Sequence, residues 1–180
     1  MTTAENLMAA FAGESQARNK YDYFAKQARK EGLIMIAKIF EETAINEMQH
    51  AKDELKLLDG IKSTKENLKE AITGEDYETT SMYPKFAEEA KAEGNEAAAK
   101  LFTEISKVER EHRERFRKLL QMIEEGTIFK RDKPIRWKCG KCGYIHYGTE
   151  APEECPTCKH PQSYYEPECM CFGENCDKCC

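Results

Sequence analysis

Two short motifs in this 180-residue chain set a glutamate three positions before a histidine: Glu47-x-x-His50 and Glu109-x-x-His112. Residues three apart on a helix share a face, so each motif projects a carboxylate and an imidazole side by side. Upstream of each motif stand further carboxylates, Glu14 in FAGESQ and Glu75 and Glu78 in TGEDYE. Carboxylate oxygens suit iron or manganese and can bridge two ions, while one imidazole per metal adds a nitrogen donor without closing every coordination position. Two Glu-x-x-His motifs, with glutamates from two other helices, form the ligand set of a di-iron or di-manganese carboxylate site in a four-helix bundle. Ionised, the five glutamates nearly neutralise two ferric ions and a bridging oxide, and without metal they repel one another. One Glu-x-x-His in a charged helix is ordinarily solvated surface; the weight here rests on there being two.

A second chemistry lies further along. Cys139-x-x-Cys142 and Cys155-x-x-Cys158 are separated by twelve residues, the pattern of one tetrahedral metal held by four thiolates. The surrounding segment is too short for much of an apolar core, so metal must supply a large share of its folding energy. Gly143, directly after the second cysteine, allows the tight turn that aims backbone N–H groups at sulfur, and Trp137, Tyr144, Tyr147, Tyr164 and Tyr165 can shield the centre. By spacing alone, a structural zinc ribbon and a one-electron iron site both fit. His146 and His160 are expected to be exposed, because the thiolates already complete the site.

The elements that must position the glutamates and histidines can be read from periodicity. Apolar positions recur at three- and four-residue spacing through the first 125 residues, with breaks at glycine or asparagine: Gly32, Asp59-Gly60, Thr73-Gly74, Gly94-Asn95 and Gly126. Four helices are predicted, at 3–31, 34–58, 65–92 and 96–125, with Gly74 tolerated inside the third. Sliding the chain by 62 residues superimposes 21–50 on 83–112 with twelve of thirty positions identical, among them Tyr21/Tyr83, Phe24/Phe86, Gly32/Gly94, Phe40/Phe102, Glu47/Glu109 and His50/His112. A hairpin repeated once predicts an all-α four-helix bundle, ferritin-like in its architecture, with a pseudo-two-fold axis between its halves. The repeated Glu42 and Glu104 fall about 140° round the helix from Glu47 and Glu109, so they are expected on the surface or supporting the site from behind its ligands, and Glu31 and Glu93 precede turn glycines. One detail is out of step. The 62-residue shift places Glu14 opposite Asp76, between Glu75 and Glu78, and so predicts an asymmetric site.

Composition narrows the partners and the setting. A net charge of −5, from 28 basic and 33 acidic residues, argues against nucleic acid or an anionic membrane surface. No apolar run approaches the ~20 residues of a membrane span, and the N-terminus lacks the pattern of a secretory signal, so a cytoplasmic location is expected. All nine cysteines fall between Cys139 and Cys180. Their onset divides the chain into 1–132, a helical domain; 133–168, a small metal-stabilised β/loop domain; and 169–180, a cysteine-rich tail.

The segments FAGESQARNKY, ETAINEMQHAK, GEDYETTSMYPKFA and VEREHRERF resemble, in order, the four ligand-bearing segments of the rubrerythrins, and the likeness extends over nearly all of residues 1–168. The resemblance implies a ferritin-like di-iron bundle followed by a rubredoxin-like domain. It implies that Glu47 and Glu109 bridge two non-haem irons, that Glu14 and His50 bind one and Glu75 and His112 the other, and that Glu78 is a ligand that responds to oxidation state. It also implies that Cys139, Cys142, Cys155 and Cys158 hold one iron, with zinc the alternative, although Lys159 stands where free-standing rubredoxins have glycine. Tyr21 and Tyr83 match tyrosines near the site, where they either hydrogen-bond a ligand carboxylate or pack in the core.

The activity the resemblance implies is a peroxidase that reduces hydrogen peroxide to water. Its electrons pass through the tetrathiolate iron and come from a separate NAD(P)H-dependent reductase or rubredoxin. A head-to-tail homodimer or higher homo-oligomer is expected, in oxidative stress protection. Two rivals use the same parts: iron oxidation and storage, and a non-catalytic interaction module with a zinc ribbon. The tail cysteines, Cys169, Cys171, Cys176, Cys179 and Cys180, are surplus to either metal site and are expected to form an appendage, with a further metal clip or an exchanging dithiol as the alternatives.

Overall fold

The structure, a computed structural model, describes residues 2–169. By internal contacts the chain divides into two units, 1–63 and 64–180. The first is a helical hairpin of α1 (Thr3–Lys30) and α2 (Ile34–Leu57). Helix α1 opens with a capping box: Thr2 Oγ1 accepts from the Glu5 N–H at 3.2 Å, and the Thr2 N–H donates to the Glu5 carboxylate at 2.6 Å. It closes at Gly32, whose φ of 79° an L side chain would resist. Ala25, Ala28, Ala37, Ala44 and Ala51 are the buried residues of the hairpin. Small side chains on the facing stripes let the two backbones approach closely.

The second unit begins with α3 (Thr64–Tyr77), which passes through a π-helical turn at Glu78–Met82 into α4 (Tyr83–Ala92). Helix α5 (Glu96–Glu125) is capped by the Asn95 side chain, which accepts from the Ala98 N–H at 3.1 Å, and ends at Gly126 in the left-handed conformation. The unbroken helix predicted over 65–92 is thus interrupted, while the other three predicted helices lie within a residue of the observed ends. Packing follows the repeat. Ala87, Ala90 and Ala99 are buried at the positions that match Ala25, Ala28 and Ala37. Tyr83 and Phe102 stack with ring centres 6.1 Å apart at 33°, the geometry of Tyr21 and Phe40 at 5.9 Å and 33°.

After α5 comes a three-stranded antiparallel sheet in the order β2-β1-β3, with β1 Lys130–Cys139, β2 Ile145–Glu150 and β3 Tyr165–Pro167. The register of β1 on β2 slips between Lys130 and Ile135, around Pro134, which has no N–H for the ladder. Trp137, Cys139, Ala151, Cys155 and Tyr165 form the core of this lobe, and the Trp137 indole N–H donates to the Gly148 carbonyl at 3.0 Å. Tyr144 packs against that core, but Tyr147 is 70% exposed. Tyr147 pairs in register with Arg136, and strand alternation puts that pair on the face opposite Trp137. Tyr164 is exposed as well, so two of the five aromatics expected to shield the cysteines do not. Among the described residues, no helix is long and apolar enough to cross a membrane. Cys171, Cys176, Cys179 and Cys180 lie outside the described residues.

Candidate metal centres

Three groups of metal-competent side chains come together among the described residues, each with its donor atoms within 4.8 Å of one another: Glu14, Glu47 and His50; Glu75, Glu109 and His112; and Cys139, Cys142, Cys155 and Cys158. Ten of the eleven residues singled out from the sequence fall in these three groups. The eleventh, Glu78, is the first residue of the π turn and lies outside the second triad, although the charge of Glu109 reaches it.

In the first triad, His50 Nδ1 is 2.8 Å from Glu47 Oε2, as the i,i+3 spacing requires, and Glu14 reaches both from α1. Burial raises the Glu14 carboxyl, as do a hydrogen bond with Glu47 and the charges of Glu47 and Glu54, while His50 pulls the other way. Glu54 was passed over in the sequence. One of its oxygens is sealed from solvent without a hydrogen-bond partner, and the available signal was its spacing, seven residues after Glu47 and so on the same face.

The second triad repeats the arrangement. His112 Nδ1 is 2.6 Å from Glu109 Oε2 and 3.8 Å from Glu75 Oε1. Burial, then the charge of Glu109 and a hydrogen bond with it, raise the Glu75 carboxyl; burial and Glu109 do the same to Glu78. The second oxygen of Glu75 is buried and bonded to nothing. Orphaned carboxylate oxygen beside an imidazole and a second carboxylate is a donor set that fits a cation.

The out-of-step register has a structural answer. Glu14 and Tyr21 are seven residues apart, whereas Glu75 and Tyr83 are eight. The π turn between Glu75 and Tyr83 absorbs the additional residue, so both glutamates meet their Glu-x-x-His partners despite different spacing. Glu78 sits where the first half has Ala17, so the site is asymmetric in its carboxylates, as expected. The second half also carries a brace that the first lacks. Arg113, next to His112, donates to Asp76, next to Glu75, at 2.6 Å, where the first half has Ala51 and Ser15.

Tyr21 and Tyr83 pack against phenylalanines in both halves. Burial, followed by the charges of Glu78, Glu109 and Glu75, holds Tyr83 above the ordinary tyrosine range, so it keeps its proton beside these carboxylates. Glu104 pairs with exposed Lys107, and Glu31 and Glu93 cap helices ahead of Gly32 and Gly94, all as expected of residues without a metal role.

The four cysteines are free of disulfides, with Cys139 and Cys155 buried. Cys139 Sγ is 3.7 Å from Cys158 Sγ, and Cys142 Sγ is 3.7 Å from Cys155 Sγ. A tetrahedral ion with metal–sulfur bonds of ~2.3 Å requires about 3.8 Å between sulfurs, so the cluster already has the dimensions of a tetrathiolate centre. Two matching turns build it. The Gly143 N–H donates to the Cys139 carbonyl at 2.8 Å, and the Lys159 N–H donates to the Cys155 carbonyl at 2.9 Å. Lys159 thus makes the same turn as glycine, at a left-handed φ of 61°. Burial acts to raise the Cys155 thiol, but the nearby Tyr165 hydroxyl, the backbone at Cys158 and Thr157 and the Cys158 thiol outweigh it and bring it down to about 6. The backbone at His160 acts to lower Cys158, yet burial and the three neighbouring sulfurs push it up to about 12. A lowered Cys155 thiol favours capture of a cation. His160 Nδ1 is held by the Cys158 carbonyl at 3.0 Å and stays out of the cluster.

The model of a family described as Rubrerythrin matches residues 5–120, and that of the rubrerythrin rubredoxin-like domain matches residues 137–166. The chain belongs to the rubrerythrin family. Among its relatives are a rubrerythrin of Clostridium perfringens, 48% identical over 91% of this chain and 93% of that one, and a putative rubrerythrin of Methanocaldococcus jannaschii, 46% identical over 93% of each. A rubrerythrin of Nitratidesulfovibrio vulgaris is 44% identical over 91% of this chain and 93% of its own length. Membership brings the ferritin-like helical fold class with a small rubredoxin-like lobe. The chain is a rubrerythrin-type oxidoreductase, with carboxylate–histidine donors for a di-iron site and four cysteines for a rubredoxin-type iron.

Proposed function

We propose that this chain is a peroxidase that reduces hydrogen peroxide to water with electrons delivered through the four-cysteine centre. The observation that carries the reading is the presence in one chain of two carboxylate–imidazole triads and a cluster of tetrathiolate dimensions. When bound, a pair of non-haem irons supplies two-electron cleavage of an O–O bond, and a tetrathiolate iron supplies one-electron relay.

The residues divide the work accordingly. Glu14 and His50 would hold one iron and Glu75 and His112 the other, with Glu47 and Glu109 as the carboxylates shared between them. Glu78, set apart by the π turn, would be the carboxylate free to join or leave with oxidation state. Tyr83 remains a hydroxyl donor among the carboxylates. The domain limits that follow are 1–132 for the di-iron bundle, 133–168 for the rubredoxin-like lobe and 169–180 for the tail. A head-to-tail homo-oligomer brings the lobe of one chain to the irons of the next, and an NAD(P)H-dependent reductase or a rubredoxin in the cytoplasm supplies the electrons.

The test is anaerobic reduction of the iron-loaded protein followed by rapid mixing with hydrogen peroxide. Peroxide consumption accompanied by reoxidation of the visible tetrathiolate chromophore is expected. Cys139→Ser should keep the bundle irons and lose sustained turnover. Uptake and storage of iron without peroxide consumption would sink the reading in favour of a storage role, and colourless zinc in the lobe would sink the electron route.

A further inference from the structure

Tyr165 is the one tyrosine hydroxyl in the rubredoxin-like lobe that is buried without an ordinary partner. The residue is 4% exposed, and its oxygen is sealed from solvent with no hydrogen bond in the structure. Leaving such a group unmatched is costly, so its surroundings indicate what it is meant to meet.

Those surroundings are sulfur. Tyr165 is the register partner of Cys139 across β1 and β3, and directly opposed residues of an antiparallel pair project to the same face. Its ring lies in the same core cluster as Trp137, Cys139 and Cys155, and the Gly140 N–H donates to the neighbouring Tyr164 carbonyl at 2.8 Å, fixing this end of β3 against the first cysteine turn. Of the sulfurs around it, that of Cys155 acts on the hydroxyl most strongly, followed by that of Cys139. The adjacent Tyr164, exposed and edge-on to His160 at 4.7 Å, offers no such contact.

We infer that Tyr165 is a potential-setting residue, whose hydroxyl donates a hydrogen bond to the Cys155 thiolate once the four cysteines hold an iron. The inference rests on the reading of the cluster as an iron site. Reduction adds one negative charge to the tetrathiolate, and a donor aimed at a ligand sulfur stabilises the more negative state more strongly, which raises the reduction potential. Backbone N–H groups can supply such bonds in any short cysteine turn; a side-chain donor can be removed by substitution.

The test is Tyr165→Phe in the full-length, iron-loaded protein, with Tyr164→Phe as control. The change removes one oxygen and keeps the packed ring. The expected result is a lower midpoint potential for the tetrathiolate, by about the 59 mV that corresponds to a tenfold change in a one-electron equilibrium, together with a shift of its visible charge-transfer bands and an unchanged metal content. Tyr164→Phe should match the unsubstituted protein. An unchanged or raised potential in Tyr165→Phe, with the chromophore present, overturns the inference while the iron site stands. Absence of an iron chromophore from the unsubstituted protein overturns the underlying reading instead.

Discussion

Glu14 meets Glu47 and His50 from an unbroken α-helix, whereas Glu75 meets Glu109 and His112 from a helix that enters a π turn three residues later. Tyr21–Phe40 and Tyr83–Phe102 stack alike and three alanines are buried at matching positions in the two halves, so the stretch between ligand and tyrosine is where their spacing differs. The comparison teaches that a donor set is specified by which side chains share a face, not by their separation along the chain. A helix can take in another residue and still present its carboxylate, provided the backbone widens locally into a π turn and something braces the result. Here Arg113, with its side chain 15% exposed, ties α5 to Asp76, and Ser106 Oγ donates to the Thr79 carbonyl inside the turn at 3.3 Å.

The largest effect expected is loss of the helical metal. Glu47→Ala and Glu109→Ala should each abolish binding of both bundle irons while the tetrathiolate chromophore remains, as measured by metal content and visible absorption. Two irons retained in either variant would break the equivalence of the halves and the bridging assignment. Deleting Thr80 should remove the additional residue and its bulge together, leaving a continuous helix with the seven-residue spacing of the first half, so Glu75 should still face Glu109 and His112 and iron in the second triad should survive, as measured by metal content. Selective loss of iron from the second triad would show that the two halves do not share one donor geometry.

Smaller changes sharpen the comparison. Phe40→Ala and Phe102→Ala remove repeat-related, partly buried rings and should each cost about 2 kcal/mol, with the two values close to one another. Unequal values would show that the matched geometry hides unequal packing. The cysteine turns repeat the theme on a smaller scale, with Gly143 and Lys159 making one turn from different residues. Lys159→Gly should raise the thermal stability of the loaded lobe by about 1 kcal/mol through relief of a left-handed lysine.

The smallest effect is a pH slope. In the metal-free protein, burial and neighbouring carboxylates raise Glu14 in the first half and Glu75 and Glu78 in the second. A carboxyl raised in the folded state holds its proton where the unfolded chain has released it, so its contribution is present below the ordinary value of 4.5 and is lost as pH rises through the folded value. Glu124 and Glu168, lowered by hydrogen bonds with Lys65 and Arg136, act in the opposite sense, losing their contribution as pH falls. Denaturation of the metal-free protein between pH 4.5 and neutrality should therefore show a downward component that Glu75→Gln with Glu78→Gln flattens more than Glu14→Gln does. Equal flattening would mean that Glu78 adds nothing to the second half.

Much of this was legible without coordinates because helices advertise themselves through periodicity and cysteines through spacing. Glu14, Glu47 and His50 could be grouped from a repeat and a shared face, and the four cysteines from two turns. The π turn was not legible from composition, since Glu78–Met82 reads as ordinary helix. Its trace was the one-residue conflict between the Glu14 and Tyr21 registers, which records an insertion but not how the backbone accommodates it. Tyr147 and Tyr165 could not be sorted into exposed and buried by residue type, because their orientation depends on which strand residues they oppose, Arg136 and Cys139 respectively.

In hereditary terms, the additional residue between Glu75 and Tyr83 is one codon. A duplicated hairpin that gained or lost that codon kept its donors in place only because the mismatch was confined to a single turn upstream of Tyr83. A recombinant that joins the first segment of one half to the second segment of the other therefore inherits whichever spacing its first segment carries. Its success depends on keeping the ligand and the following aromatic residue from the same parent.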